Sequence, residues 1–548
     1  MRIPNSKRKS SNDWWRSAVI YQIYPRSFSD SDGDGTGDLA GIIDRIHHLS
    51  DLGIDAIWLS PFFCSPQKDA GYDVSDYCSV DPIFGTLDDF KNLISKAHAL
   101  NLRVIVDLVP NHSSDQHEWF RKAVLSDPGS PERDRYIFMD SNHAKPDSRP
   151  NNWESVFGGP AWTQITEPNG APGQWYLHLF DSSQPDLNWQ NSEIRDLFRD
   201  ILRFWLDLGI DGFRVDVAHG LIKKKGFPDK ETSATPAIGH AGPHWDQEAV
   251  HEIYRDWREL LDEYGSDRIL CAEAWVMPLS RLARYVRPDE MNHAFNFGYL
   301  ATPWDASALK QVIKDSIRVF GQENAPSTWV LSNHDMVRHV SRFGLDCITD
   351  PQPTGIGPNS PEKPDEARGL TIARAATMLM LALPGSAYIY QGEELGLPEV
   401  IDIPDADRQD PTFFRTNGQR YGRDGCRVPI PWEANKPAFG FNSTGASWLP
   451  QPQSFYDLSR DRQEGVKGST LELYKSLIRL RTEHHLGSGN VEWLSEYGHN
   501  VIAFRNRKIM VIVNLGEKHI SLPTGKMLLS SVDLEKGKLP QNAAAWVG

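Results

Sequence analysis

No run of apolar residues in the chain approaches the 18 or so needed to cross a bilayer as a helix, so a helical membrane protein is not expected. Cysteine is scarce: Cys64, Cys78, Cys271, Cys347 and Cys426 are scattered, odd in number and without Cys-x-x-Cys spacing. That excludes a disulfide framework and a zinc site and fits a reducing compartment, so a cytoplasmic location is expected. Positive charge is also in deficit. Lys and Arg number 58 against 73 Asp and Glu, for a net charge of −15. A nucleic-acid partner or an anionic membrane surface is therefore not expected. The opening "MRIPNSKRKSSNDWW" is basic and polar but has no apolar stretch behind its charges. Residues 1–13 read as a disordered tail rather than a signal peptide. There is no internal repeat.

What is present is a series of short apolar runs separated by amphipathic patterns. "AVIYQIYP" (18–25), "DAIWLSPF" (55–62), "RVIVDLVP" (103–110) and "DGFRVDVA" (211–218) read as buried strands. So do "RILCAEAW" (268–275), "HAFNFGY" (293–299), "STWVLSNHD" (327–335) and "SAYIYQGEE" (386–394). Between them, stretches such as "LDDFKNLISKAHALN" and "SEIRDLFRDILRFWLDLG" carry the helical period and end in Asn or Gly. Continuous apolar strands alternating with helices indicate a parallel sheet covered by helices. Eight such units point to an α/β fold, a (β/α)8 TIM barrel spanning 14–111 and 185–485. Residues 112–184, rich in Pro, Asn, Gly, Trp and Ser, are too long for a plain loop and read as an inserted small domain after the third strand. Residues 486–548 alternate in a β manner and suggest a C-terminal antiparallel, sandwich-like β domain. Residues 401–468 read as a long ordered loop region over the barrel mouth.

In such a barrel the carboxyl ends of the strands form the active face. The polar residues of the strand runs collect there. Asp107, Asn111 and His112 follow strand three; Arg214 and Asp216 lie on strand four; Glu273 lies on strand five; Asn333, His334 and Asp335 lie on strand seven. Tyr72 and Asp73 follow strand two. Arg214 and Asp216, two apart, share a strand face, and burying both ions is costly unless they are paired. Two carboxylates in a closed pocket fit glycoside hydrolysis with retention. Arg214 would keep Asp216 ionised as nucleophile, while the apolar neighbours of Glu273 favour its protonated form, as a general acid requires. Asp335 would bind sugar hydroxyls and favour the distorted ring.

The motifs "DLVPNH" (107–112), "GFRVDVAH" (212–219), "EAW" (273–275), "SNHD" (332–335) and "QPDLN" (184–188) resemble those of glycoside hydrolase family 13, the α-amylase family. "GRDGCRVPIPW" (422–432) is similar to the Arg-rich loop of its α-glucosidase and oligo-1,6-glucosidase branch. The resemblance implies Asp216 as nucleophile, Glu273 as acid/base and Asp335 as transition-state stabiliser. It implies that Asp73, His112, Arg214, His334 and Arg427 hold the terminal glucose, with Asp73 and Arg427 closing the far end of the pocket and making the enzyme exo-acting. Phe157 and Phe180 would supply walls. A valine after the nucleophile, Val217 here, goes in this branch with α-1,6 cleavage, although "VDVAH" and the 422–432 loop depart from the branch pattern at Ala218, His219 and the loop's end. The expected substrates are short α-glucosides of isomaltose or maltose type, cleaved by a monomer or small homo-oligomer.

"DSDGDGTGD" (30–38) matches the first half of a calcium loop, but its twelfth position is Gly41, so it is not an EF-hand. The family places a structural Ca2+ here, with Asp30, Asp32, Asp34, the Thr36 carbonyl and Asp38 as ligands. Two rival readings remain. A transglucosylase or isomerase would use the same scaffold with water excluded. A non-catalytic binding protein of this fold would need a membrane helix and would lose the acidic trio.

Overall fold

The structure is a computed structural model that describes residues 12–141, 148–231, 239–346 and 355–548. The tail expected at 1–13 lies, except for Asn12 and Asp13, outside the described residues. Eight parallel strands form one sheet: β1 (Val19–Ile23), β2 (Ala56–Leu59), β3 (Arg103–Leu108), β4 (Gly212–Val215), β5 (Ile269–Ala272), β6 (His293–Ala294), β7 (Thr328–Val330) and β8 (Ser386–Tyr390). Their spatial order is β6-β5-β4-β3-β2-β1-β8-β7. A parallel bridge between Phe295 and Thr328 joins the two edge strands, so the sheet closes on itself. All 18 residues of β1, β2, β4 and β8 are buried, as strands packed against helices outside and side chains inside must be.

Seven long helices follow the strands: α1 (Leu39–Leu52), α2 (Leu87–Ala99), α3 (Ser192–Asp207), α4 (Val250–Tyr264), α5 (Ala306–Gln322), α6 (Glu366–Ala382) and α7 (Thr470–Glu483). Two short turns, Leu279–Leu282 and Ala283–Val286, stand where a helix after β5 would lie. The caps are local and readable. Thr86 and Asp89 form a reciprocal capping box on α2, Asn191 accepts from the Glu193 amide on α3, and α1 ends at Gly53 with φ of 89°. The strands are shorter than the apolar runs that contain them. The run 293–299 forms only a two-residue strand, because the Asn296 side chain accepts from the Tyr299 amide and starts a helical turn at Phe297–Leu300. Likewise β5 stops at Ala272 and β7 at Val330, which leaves Glu273 and residues 331–335 free to turn over the barrel mouth.

Between β3 and α3 the chain builds a three-stranded antiparallel sheet, with Pro172–Leu177 central between Phe138–Met139 and Trp162–Thr166. After α7 comes a five-stranded antiparallel sheet formed by 492–493, 501–506, 509–514, 543–547 and 527–530. A two-stranded ribbon, Ile520–Ser521 with Lys538–Leu539, lies beside it. This sheet is anchored on α6, where Trp546 donates to the Met378 carbonyl and Asn506 to the Ala382 carbonyl. Among the described residues no helix is long and apolar enough to cross a membrane, and Cys64, Cys78, Cys271 and Cys426 are free thiols.

Candidate active site

The barrel register decides which side chains meet. Asp107 on β3 pairs with Arg214 on β4, and Val215 pairs with Ala272 on β5. One step further along the same register places Asp216 beside Glu273. Neighbouring strands run about 4.8 Å apart, so these carboxylates leave adjacent strand ends on the same face. Backbone bonds hold them there: the Asp216 amide donates to Leu108 O, the Glu273 amide to Val215 O and the Ala218 amide to Glu273 O. Arg214, almost fully buried, donates to Asp107 Oδ1 at 2.9 Å and to Asp216 Oδ1 at 2.5 Å, with its guanidinium over the Trp58 ring. A core strand tolerates Arg-x-Asp because the arginine is shared by two carboxylates.

The next residue, Val217, has φ of 47°, a left-handed conformation that a β-branched residue adopts only under constraint. Its amide is thereby aimed at Glu273 Oε2, 2.8 Å away. The acid is thus tied to the peptide that follows the nucleophile.

Four carboxylates, Asp107, Asp216, Glu273 and Asp335, share three guanidiniums in this region. Burial pushes all four up, and the cations decide which give way. Asp335 lies 3.1 Å from both His334 Nε2 and Arg423 and 2.9 Å from Arg427, which hold it below the usual carboxylate range despite burial. Burial pushes Asp216 well above the usual carboxylate range, with its carboxylate neighbours adding to the rise and the directly bonded Arg214 opposing it. Glu273 has no cation in contact. Burial, only partly offset by Arg214 and the Val217 amide, pushes it up to about 7. The 2.5 Å ion pair with Arg214 places the negative charge of this coupled pair on Asp216, which leaves the proton to Glu273.

His334 links the site's components. Gln22 bonds its Nδ1 at 2.7 Å, while Nε2 meets the Tyr72 hydroxyl at 2.6 Å, and the Tyr72 ring stacks on it at 5.2 Å. Burial holds His334 well below the usual histidine range, so it acts as a neutral hydrogen-bonding ring. Tyr72 also donates to Asp107 Oδ2, at 3.0 Å. His112 meets the Tyr72 carbonyl and Gln184 and is lowered to about 4 by burial.

A half-open cavity lies over these groups, with about 910 Å³ of atom-free space when the solvent at its mouth is counted. Of the residues singled out from the sequence, Tyr72, His112, Phe157, Phe180, Asp216, Val217, Glu273 and Asp335 line it. Arg214 and His334 lie just beneath. Asp73 and Arg427 do not form the pair expected to close the far end. Asp73 is fully buried in its own loop, where it accepts from the Ser65 hydroxyl and the amides of Lys68 and Asp69. Arg427 packs behind Asp335, over the Tyr24 ring, and donates to the His334 carbonyl. The pair that does face the cavity is Asp69 with Arg423, 2.6 Å apart, and Arg423 also reaches Asp335 and Asp410 and lies over Phe157. Sequence reading gave no role to His219, His240 and Trp275, which also line the cavity.

A second acidic cluster lies in the loop before α1. Asp30, Asp32 and Asp38 each place a carboxylate oxygen within 4.8 Å of the others. An all-carboxylate set of this kind suits a hard divalent cation. Asp34 is not among the three that converge; it is exposed, and its carboxylate accepts from the Thr36 amide. Asp30 is oriented by the amides of Gly33 and Gly35 and by Asn442.

A closed eight-stranded barrel with three carboxylates gathered at the ends of strands four, five and seven defines a class of sugar-bond enzymes. Residues 22–489 match the model of the alpha amylase catalytic domain, and the chain belongs to that family of glycoside hydrolases. It is 38% identical to a probable alpha-glucosidase of Rhizobium meliloti (strain 1021), covering 94% of this chain and 91% of that one. It is 35% identical to the trehalose-6-phosphate hydrolase of Bacillus subtilis (strain 168), over 91% and 89%. Among solved structures, an alpha-glucosyl transfer enzyme superposes with a TM-score of 0.84 at 34% identity, covering 98% and 99% of the two chains.

Proposed function

We propose that the protein is a retaining, exo-acting α-glucosidase that releases α-glucose from the non-reducing end of short α-glucosides. The observation that carries this reading is the placement of Asp216 and Glu273 on adjacent strand ends, with Arg214 on one and no cation on the other. The roughly 5 Å expected for a retaining pair is about one strand spacing. In the first step the Asp216 carboxylate bonds to the anomeric carbon while Glu273 gives its proton to the departing glycosidic oxygen. In the second, Glu273 takes a proton from water, and that water displaces Asp216, so two inversions leave the α configuration. Asp335, held ionised by Arg423 and Arg427, stabilises the positively charged ring between the two steps. Asp69 and Arg423 form a charged end wall suited to the hydroxyls of a terminal glucose, which favours exo attack.

Val217 projects a β-branched side chain beside the nucleophile, and this favours α-1,6-linked substrates over α-1,4-linked ones in our reading. The loop before α1 would hold a structural Ca2+ through Asp30, Asp32 and Asp38, with the Thr36 carbonyl as a further ligand. The ion would stiffen that loop and take no part in the chemistry. The sparse cysteines, free at all four described positions, favour a cytoplasmic enzyme, and we take it to act as a monomer or small homo-oligomer. The alternative is a transglucosylase or isomerase, in which a sugar rather than water accepts the glucosyl group on the same carboxylates. A panel of isomaltose, maltose, sucrose, trehalose and trehalose 6-phosphate, with products followed by NMR, separates these readings. Free glucose as the main product supports hydrolysis, and rearranged or longer glucosides support transfer.

A further inference from the structure

Strand β1 is buried throughout, yet its fourth residue is a glutamine, and Gln22 has no part in the chemistry above. It lies two residues after Ile20, whose side chain packs inside the barrel with Trp58 and Tyr388. Gln22 therefore points the same way, one layer nearer the mouth. Its amide nitrogen is 2.7 Å from His334 Nδ1 and 3.0 Å from the Ser60 hydroxyl, while its Oε1 has no partner. A buried amide oxygen left unbonded is costly, and the orientation that leaves it so is the one His334 requires.

The protons around His334 fix that requirement. Tyr72 has one hydroxyl proton and two neighbours, Asp107 Oδ2 at 3.0 Å and His334 Nε2 at 2.6 Å. Asp107 is paired with Arg214 at 2.9 Å, so its carboxylate accepts the Tyr72 proton. His334 Nε2 must then carry the proton of the 2.6 Å contact. The Asp335 carboxylate, 3.1 Å from the same nitrogen, also only accepts, because Arg423 and Arg427 hold it ionised. Burial first, and then the guanidiniums of Arg427, Arg214 and Arg423, keep the ring neutral against the pull of Asp335. Tyr24 stacks on the ring at 5.8 Å, and Cys426 reaches only the His334 carbonyl. A neutral imidazole with its proton on Nε2 has a bare acceptor at Nδ1, which only a donor can meet. Gln22 supplies that donor and leaves its own oxygen unbonded.

We propose that Gln22 is a positioning residue: its amide, bonded to His334 Nδ1, holds the ring neutral with its Nε2–H directed at Tyr72 and Asp335. A chain of contacts then runs from β1 through His334, Tyr72, Asp107 and Arg214 to the nucleophile Asp216. The inference rests on the α-glucosidase reading for the rate that it affects. Two variants separate positioning from space-filling, assayed on 2,4-dinitrophenyl α-glucoside so that the Glu273 proton is not needed. Gln22→Met keeps the bulk and removes the donor, and it should lower kcat/KM about tenfold, equally at every pH. Gln22→Glu places a carboxyl at the same point. While a proton is shared between that carboxyl and Nδ1, the arrangement is kept and kcat/KM should stay within a few-fold of wild type. Once that proton is lost at higher pH, the carboxylate competes with Tyr72 and Asp335 for the ring's one remaining proton. The rate should then fall toward the Gln22→Met value. A negative charge acting only through space would favour the positively charged sugar ring and raise the rate instead. A Gln22→Met rate within twofold of wild type, or a Gln22→Glu profile that is flat or rises with pH, overturns the proposal. The ring itself gives a readout independent of activity, by nitrogen NMR of protein carrying isotope-labelled histidine. The His334 signal, identified by its loss in His334→Asn, should be that of a neutral ring protonated on Nε2. A proton on Nδ1, or on both nitrogens, refutes the positioning role. A wild type that cleaves no α-glucoside, with the ring protonated on Nε2 as expected, refutes the α-glucosidase reading instead.

Discussion

Glu273 holds a proton near neutral pH because it is buried without a cation in contact, and removing its carboxyl therefore has two linked consequences. With its pKa at about 7 in the fold against 4.5 ordinarily, the folded chain keeps a proton between those values that the unfolded chain has released. Stability accordingly falls as pH rises through that window, by about 3 kcal/mol in total, and the full penalty stands above pH 7. Glu273→Gln removes the titration. The variant should be more stable than wild type at pH 8 by up to about 3 kcal/mol and no more stable at pH 4. It should also lose the alkaline limb of the kcat/KM profile near pH 7, with a fall of about 10²–10⁴ on a disaccharide. The loss should be much smaller on 2,4-dinitrophenyl α-glucoside, whose leaving group needs no proton. Urea unfolding at the two pH values, together with the two pH–rate profiles, checks both consequences. An alkaline limb that survives in the variant, or an equal change of stability at both pH values, would refute the assignment of the proton to Glu273.

Arg423→Lys should raise KM for glucosides about 10–100-fold, because an ammonium cannot bridge Asp69, Asp335 and Asp410 at once and each charged hydrogen bond is worth about 1.5–3 kcal/mol. A change within twofold on steady-state kinetics would contradict that role. Val217→Ala should move the isomaltose-to-maltose ratio of kcat/KM toward maltose, and an unchanged ratio removes the steric account of linkage. Chelation should lower the melting temperature without altering kcat once temperature is allowed for, and Ca2+ at about a hundred times its Kd should restore about 2.7 kcal/mol. No effect of chelator on melting argues against an ion at Asp30, Asp32 and Asp38.

All eight barrel strands were legible because each is buried on both faces and reads as a continuous apolar run between helical periods. Their ends were not, since Asn296 diverts its run into a helical turn through a side-chain cap that composition does not reveal. Asp216 and Glu273 stood out as carboxylates embedded in apolar sequence, and strand register alone brings them together. The end wall was misassigned by four residues on each side. Asp69 and Asp73 share one loop, as Arg423 and Arg427 share one short turn. Which member faces the cavity depends on which one the loop consumes as its own cap, and Asp73 serves its neighbours' amides. His219 was visible as a departure from the family pattern, but its partner His240 lies 21 residues on. Only the folded path of that connection makes them neighbours.

The account depends most on the two carboxylates acting from opposite sides of the anomeric carbon at close range. Its most direct test is the configuration of the first glucose released, followed by proton NMR during the opening minutes of hydrolysis of an α-glucoside. Two displacements through Asp216 predict that α-glucose appears first and mutarotates slowly to β. Initial release of β-glucose would mean a single displacement by water across a wider gap, and would contradict the mechanism.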